Sequence, residues 1–245
     1  MIKLFRKTRY NLMEKNSSAG QTSKTGKYLL YAIGEIILVV IGILIALQIN
    51  NANEHRKTNN IKHTYYNQID TDLDKEIENI NDRIQFLDTC ITTADRYFET
   101  MRASNLAPKK VIKKLYKIDL RFRYMAFNTN TIQTLESTGD MKLMPPKIRN
   151  SLIELKRKQE RIFRVAKGNY EIFLNAFVKG YQLGYLRVLN EKTSLGVENN
   201  IPEIILTIEG ALILKNHTDK LVKDSLLEML HKINKIKELI ALDLN

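Results

Sequence analysis

One stretch governs what this chain can become. Tyr28 to Ile49, YLLYAIGEIILVVIGILIALQI, is twenty-two residues long with Glu35 as its single charge. A helix rises ~1.5 Å per residue, so the run covers ~33 Å against a hydrocarbon core of ~30 Å. It reads as a membrane span. A secretory signal peptide is the competing reading, but its apolar region usually has ~7–15 residues and ends in a small-residue cleavage site. Here the run is longer, Ala46-Leu47-Gln48 matches such a site poorly, and the polar lead is long. We read residues 28–49 as an uncleaved transmembrane helix.

Flanking charge sets the expected orientation. Lys3, Arg6, Lys7, Arg9, Lys15, Lys24 and Lys27 precede the span, with Glu14 the one acid among them. Arg56, Lys57 and Lys62 are the basic residues soon after it. Basic flanks stay in the cytoplasm. The expectation is a bacterial inner-membrane protein with residues 1–27 cytoplasmic and residues 50–245 periplasmic. MIKLFRKTRYNLM reads as a basic amphipathic helix whose Lys3, Arg6, Lys7 and Arg9 meet anionic lipid; a disordered basic tail is the plainer reading. Asn16 to Ser23 is a linker. The whole chain carries +12 with a pI near 9.6. Its basic residues form no nucleic-acid-binding motif, so the lipid bilayer and not nucleic acid is the expected partner.

Glu35 needs an explanation inside so apolar a run, because a charged acid in the bilayer costs several kcal/mol. It stands ~10 Å from the cytoplasmic edge. On a helical wheel it shares a face with Tyr31, Gly42 and Ala46. Gly42 and Ala46 form a small-xxx-small pair that admits a close neighbouring helix. The favoured reading turns this face toward a partner helix, either a second copy or another membrane protein. The alternative is a neutral acid facing lipid near the interface.

KYLLYAIGEIILVVIGILIALQINNANE, with the preceding MIKLFRKTRYNLM, resembles the N-terminal signature of an uncharacterised domain-of-unknown-function family of single-pass membrane proteins from Bacteroidota. The likeness is close over residues 1–55 and loose beyond. In that family the glutamate belongs to the motif, which supports its facing a partner. Family members usually carry a tryptophan after the paired asparagines, where this chain has Ala52. The resemblance brings no known activity.

The remainder predicts an all-α fold: an elongated helical bundle with coiled-coil-like long helices. Four prolines and ten glycines are few for 245 residues, which argues against loop-rich β structure. From about Asn59 to Ala103, Ile77, Ile80, Ile84, Leu87, Ile91, Ala94, Phe98 and Met101 form a heptad stripe that Ile69 and Leu73 extend upstream. Helices are expected at about 108–120 and 129–138, the second stopped by Gly139. Pro145-Pro146 opens a long helix to about Asn190, buried along Ile148, Leu152, Leu155, Ile162, Ala166, Phe173 and Phe177. Residues 191–202 read as a loop, and residues 203–214 as helix or strand. Asn216 to Asp243 closes the chain with Val222, Leu226, Met229, Ile233, Ile236 and Ile240 on one stripe, matched to the first long helix.

The chemistry-bearing motifs fail one by one. Asp70-x-Asp72-x-Asp74 resembles a calcium loop, but Lys75 stands where glycine makes the turn and Asn81 where a glutamate belongs. Within a helix Asp70 and Asp74 share a face that Asp72 does not. His55, His63, His217 and His231 have no zinc spacing, and the single cysteine, Cys90, reads as a buried inert thiol. No nucleophile elbow, P-loop or dinucleotide fingerprint is present. We therefore expect no catalysis, metal or cofactor. Tyr170, Phe173, Phe177, Tyr181 and Tyr185 lie mostly on one helix face; they suggest a small-molecule pocket, with an ordinary aromatic core as the competing reading. The expectation is a membrane-anchored, non-catalytic scaffold, adaptor or sensor-like subunit. The alternatives are an ion-driven force-transducing subunit using Glu35 and an extracytoplasmic ligand sensor.

Overall fold

A computed structural model of the chain describes residues 24–118, 122–123, 125–191 and 195–244. The basic tail, with Lys3, Arg6, Lys7 and Arg9, lies outside the described residues. The fold is all-α, with no strand among the described residues. Its helices are α1 (Lys24–Ala103), α2 (Pro108–Leu115), α3 (Asn130–Ser137), α4 (Pro146–Gln182), α5 (Tyr185–Leu189) and α6 (Ile201–Leu244). Two 3-10 turns stand at Asp140–Leu143 and Val197–Asn200. The chain separates into two compact units, Met1–Asn59 and Asn60–Asn245, and α1 contributes to both. The sequence reading ends one helix at Ile49 and starts another near Asn59. The structure has one, because INNANEHRKTNN contains neither glycine nor proline to interrupt the backbone ladder.

In the second unit the buried side chains of α1 fall at Tyr66, Ile69, Leu73, Glu76, Ile80, Arg83, Leu87, Cys90, Ala94 and Tyr97. These positions alternate steps of three and four. The stripe read from hydropathy shares Ile69, Leu73, Ile80, Leu87 and Ala94 with them, but its other members, Ile77, Ile84, Ile91, Phe98 and Met101, lie off the seam and are partly buried. Choosing the isoleucines passes over Glu76 and Arg83, which occupy the seam itself.

Three other boundaries move. Helix α2 stops at Leu115, short of the expected residue 120. Helix α4 stops at Gln182 instead of reaching Asn190, because Gly184 adopts φ 101° and turns the chain into α5. The Val197 side chain fills the space beside Gly184, so that an added Cβ would lie 2.7 Å from Val197 Cγ1. Residues 203–214 are helix, and they are continuous with the closing segment. Helix α6 starts at Ile201, with Pro202 in its first turn where a missing N–H costs nothing. Asn216 does not break it, because that side chain is buried and donates to Asp95 Oδ1 at 2.7 Å.

Polar pairs fix the topology of this unit. Lys237 binds Asp70 and Asp74, Lys223 binds Asp88 and Lys220 binds Asp95, so α6 runs antiparallel to α1. Lys232 binds Glu154 and Lys179 binds Glu203, so α6 also runs antiparallel to α4. Helices α1 and α4 are therefore parallel, and the connection between them must return along the bundle. It does so against α1. The Arg83 guanidinium donates to the Arg123 carbonyl, Asn128 N donates to Glu76 Oε2 at 2.9 Å, and Tyr65 Oη donates to Asp140 Oδ2 at 2.7 Å.

Candidate functional site

The first candidate is the apolar span. Among the described residues one helix is long and apolar enough to cross a membrane, near the N-terminus. Every described side chain from Tyr31 to Ile49 is exposed, Glu35, Gly42 and Ala46 among them. Spacings of four, seven and four place Tyr31, Glu35, Gly42 and Ala46 along one side of the helix. Apart from its own turn of helix, no atom of the described residues comes within 4 Å of where a Cβ on Gly42 would stand.

The second is a polar layer that sequence reasoning missed. The core consists of two apolar clusters. One runs through Tyr66 to Leu87 of α1, Ile148 to Ala166 of α4 and Val222 to Ile240 of α6. The other gathers Ala94 and Tyr97, Ile112 and Leu115, and Ile201 to Leu212. Where they meet, α4 buries Asn169 and α6 buries Lys215, Asn216 and Asp219. The buried spacing of α6 departs from the heptad here: Ala211, Lys215 and Asp219 are separated by two successive steps of four before Val222. Lys215 Nζ donates to Asp219, and lies 5.9 Å from the Phe173 ring centroid. Burial pushes the Asp219 carboxyl up, while Lys215 and Arg83 pull it back. Burial lowers the Arg83 guanidinium, which also stacks over Phe86 and Phe122 at 5.3 and 5.9 Å. Beside it, burial pushes the Glu76 carboxyl above its ordinary range. Glu76 Oε1, both side-chain polar atoms of Gln159 and the Oδ1 atoms of Asn169 and Asn216 have no hydrogen-bond partner among the described residues. The detectable signal was phase: steps of three and four taken from Leu73 through Ile80 to Leu87 land on Glu76 and Arg83.

The other sequence candidates take ordinary places. Asp72 turns away from Asp70 and Asp74 and supplies the missing cap of α3, accepting from Thr131 N at 3.2 Å, Thr131 Oγ1 at 2.5 Å and Asn128 Nδ2 at 2.9 Å. Thr129 at the N-cap position makes no such bond, and Asn128 Oδ1 accepts from Asn130 N at a longer 3.3 Å. Of the aromatic run, Tyr170 packs on Phe122 with ring centroids 4.0 Å apart, and lines a shallow hollow with Phe163, Lys167 and Glu171. The other four lie ring against ring, Phe173 with Phe177 at 4.8 Å, Phe177 with Tyr185 at 6.4 Å and Tyr181 with Tyr185 at 6.0 Å. Tyr181 is exposed, whereas Tyr185 is buried and its hydroxyl is pushed up to about 12, chiefly by that burial. Among the described residues no cluster of His, Cys, Asp or Glu is placed to hold a metal ion.

Span and helical unit together define a class: a protein that is all-α among the described residues, one helix of which is long and apolar enough to cross a membrane. The chain belongs to the family of unknown function DUF6090, matching it over residues 35–190. That match starts inside the apolar span, not at the N-terminus, and runs through α5, so it takes in far more of the helical unit than the resemblance carried by residues 1–55. No curated protein and no solved structure matches the chain.

Proposed function

We propose that this chain is a membrane-anchored, non-catalytic assembly subunit. Its basic tail lies in the bacterial cytoplasm, its apolar helix crosses the inner membrane, and residues 50–245 form a periplasmic scaffold or adaptor. One observation carries the reading. The residues from Tyr31 to Ile49 are almost all apolar and all exposed, and neither core cluster of the second unit contains any of them. Each such Leu or Ile left in water forgoes ~1.5–3 kcal/mol, which lipid supplies. In that setting Glu35 faces a neighbouring helix that approaches along Gly42 and Ala46.

Two measurements test this. After alkaline carbonate extraction the full chain is expected in the membrane pellet. Protease added to spheroplasts is expected to cut within residues 60–245 and to spare an epitope placed at residue 1. Recovery in the soluble fraction refutes the anchor, and loss of the N-terminal epitope with the outer unit spared refutes the orientation. Gly42→Ile and Glu35→Leu are expected to reduce chemical cross-linking in membranes; unchanged cross-linking refutes the helix-pairing role of that face.

A further inference from the structure

The flank between α4 and α6 is apolar where a solitary unit gains nothing from it. Lys158, Val165, Ile172 and Lys179 recur at seven-residue intervals and form one row of α4. Thr207, Leu214, Leu221 and Glu228 form the facing row of α6. Lys158 pairs with Glu228 at one end, and Lys179 with Glu203 at 2.9 Å at the other. The antiparallel register set by these pairs brings Val165 level with Leu221, and Ile172 level with Leu214. This ladder is ionic at both ends and apolar in its middle rungs, at flanking positions where charged residues are usual. All four apolar residues are exposed, from 41 to 51%.

The surface continues outward on α6. Leu206 is 71% exposed and Ile213 57%. Gly168 and Gly210 lie in the adjoining rows, each with open space where a Cβ would stand. From Leu206 to Leu221 the exposed positions of α6 are Leu206, Gly210, Ile213, Leu214, His217, Lys220 and Leu221, while Lys215, Asn216 and Asp219 are buried beside Ile208, Ala211 and Leu212. Between Ile213 and Asp219 alone, the apolar side chains face out while Lys215, Asn216 and Asp219 face in, against the ordinary pattern of a surface helix.

We propose that a second copy of the chain covers this flank, α4 and α6 of one protomer against α4 and α6 of the other about a two-fold axis. Three observations select that occupant. Val165, Ile172, Leu206, Ile213, Leu214 and Leu221 together present roughly 500 Å², a large share of the ~800 Å² that each partner contributes to a standard interface. The rim mixes signs, with Glu171, Glu203 and Asp224 beside Arg164 and Lys179, all exposed, so it opposes an anionic lipid surface and suits a protein. The two glycines admit close approach of the facing helices. This inference does not rest on the membrane reading.

The test uses the full chain in native membranes. Ile213→Cys is oxidised with copper phenanthroline, with Asp82→Cys, on the exposed face of α1, as the comparison. A covalent species of twice the chain mass is expected at Ile213, in about tenfold excess over Asp82. Adding Gly210→Leu to the Ile213→Cys chain is expected to cut that yield about fivefold or more, with the thermal melt unchanged or raised, because leucine enters open space and favours helix. A yield at Ile213 no greater than at Asp82, a cross-linked product of any other mass, or a yield indifferent to Gly210→Leu overturns the proposal.

Discussion

Replacing Glu76 by glutamine should make the helical unit more stable at neutral pH, though it removes a charge from a hydrogen-bonded site. Glu76 is 1% exposed and has no ion pair among the described residues. Burial pushes its carboxyl up; the Asn128 N–H and Gln159 offset part of that, and Asp72 adds to the rise. A carboxyl raised in the folded state holds its proton more tightly there than in the unfolded chain. Its stabilising contribution is present in full below the unfolded value of ~4.3 and is lost as pH rises through the folded value. Once pH has risen through that folded value, wild type carries a buried anion with no cation partner among the described residues. Glutamine keeps an oxygen to accept from Asn128 N and carries no charge to desolvate. Removing a desolvated charge while keeping one bond is worth about 1–3 kcal/mol. With a urea slope of about 2 kcal/mol per M, the unfolding midpoint should rise by about 0.5–1.5 M at pH 7. Circular dichroism of the full chain in micelles reads this, because the apolar span remains helical in urea. The difference between variant and wild type should shrink toward zero near pH 4. A variant less stable at pH 7 than wild type, or a difference that does not change between pH 4 and pH 7, refutes the claim that Glu76 is an uncompensated buried acid.

Two further substitutions probe the turns and caps that only the fold explains. Gly184→Ala places a Cβ 2.7 Å from Val197 Cγ1 at a positive φ, and should cost about 2–4 kcal/mol in thermal unfolding; adding Val197→Ala should restore the part due to crowding and leave the backbone strain. Asp72→Ala removes the carboxylate that caps α3 from outside, and should cost about 1–2 kcal/mol, with amide exchange accelerating over residues 130–137 before any other helix.

Some of this molecule was written in local chemistry. The apolar run from Tyr28 to Ile49 announces itself because its length matches a bilayer and needs no tertiary partner to be read. The stripe from Val222 to Ile240 emerged intact, since each step lands on an aliphatic residue that the fold buries. Gly139 stopped α3 as expected, at φ 74°. Other features lay in relations between distant residues. The seam of α1 passes through Glu76 and Arg83, which hydropathy rejects; they are tolerated because the returning connection offers Asn128 N and the Arg123 carbonyl to receive them. Gly184, not Asn190, ends α4, because Val197, thirteen residues on, fills the space a side chain would take. Local pattern determines which segments become helical and which one is long and apolar enough to cross a membrane, because those properties depend on near neighbours alone. Only tertiary packing decides which polar groups may be buried, because a buried donor or acceptor is stable only where a remote part of the chain brings its partner.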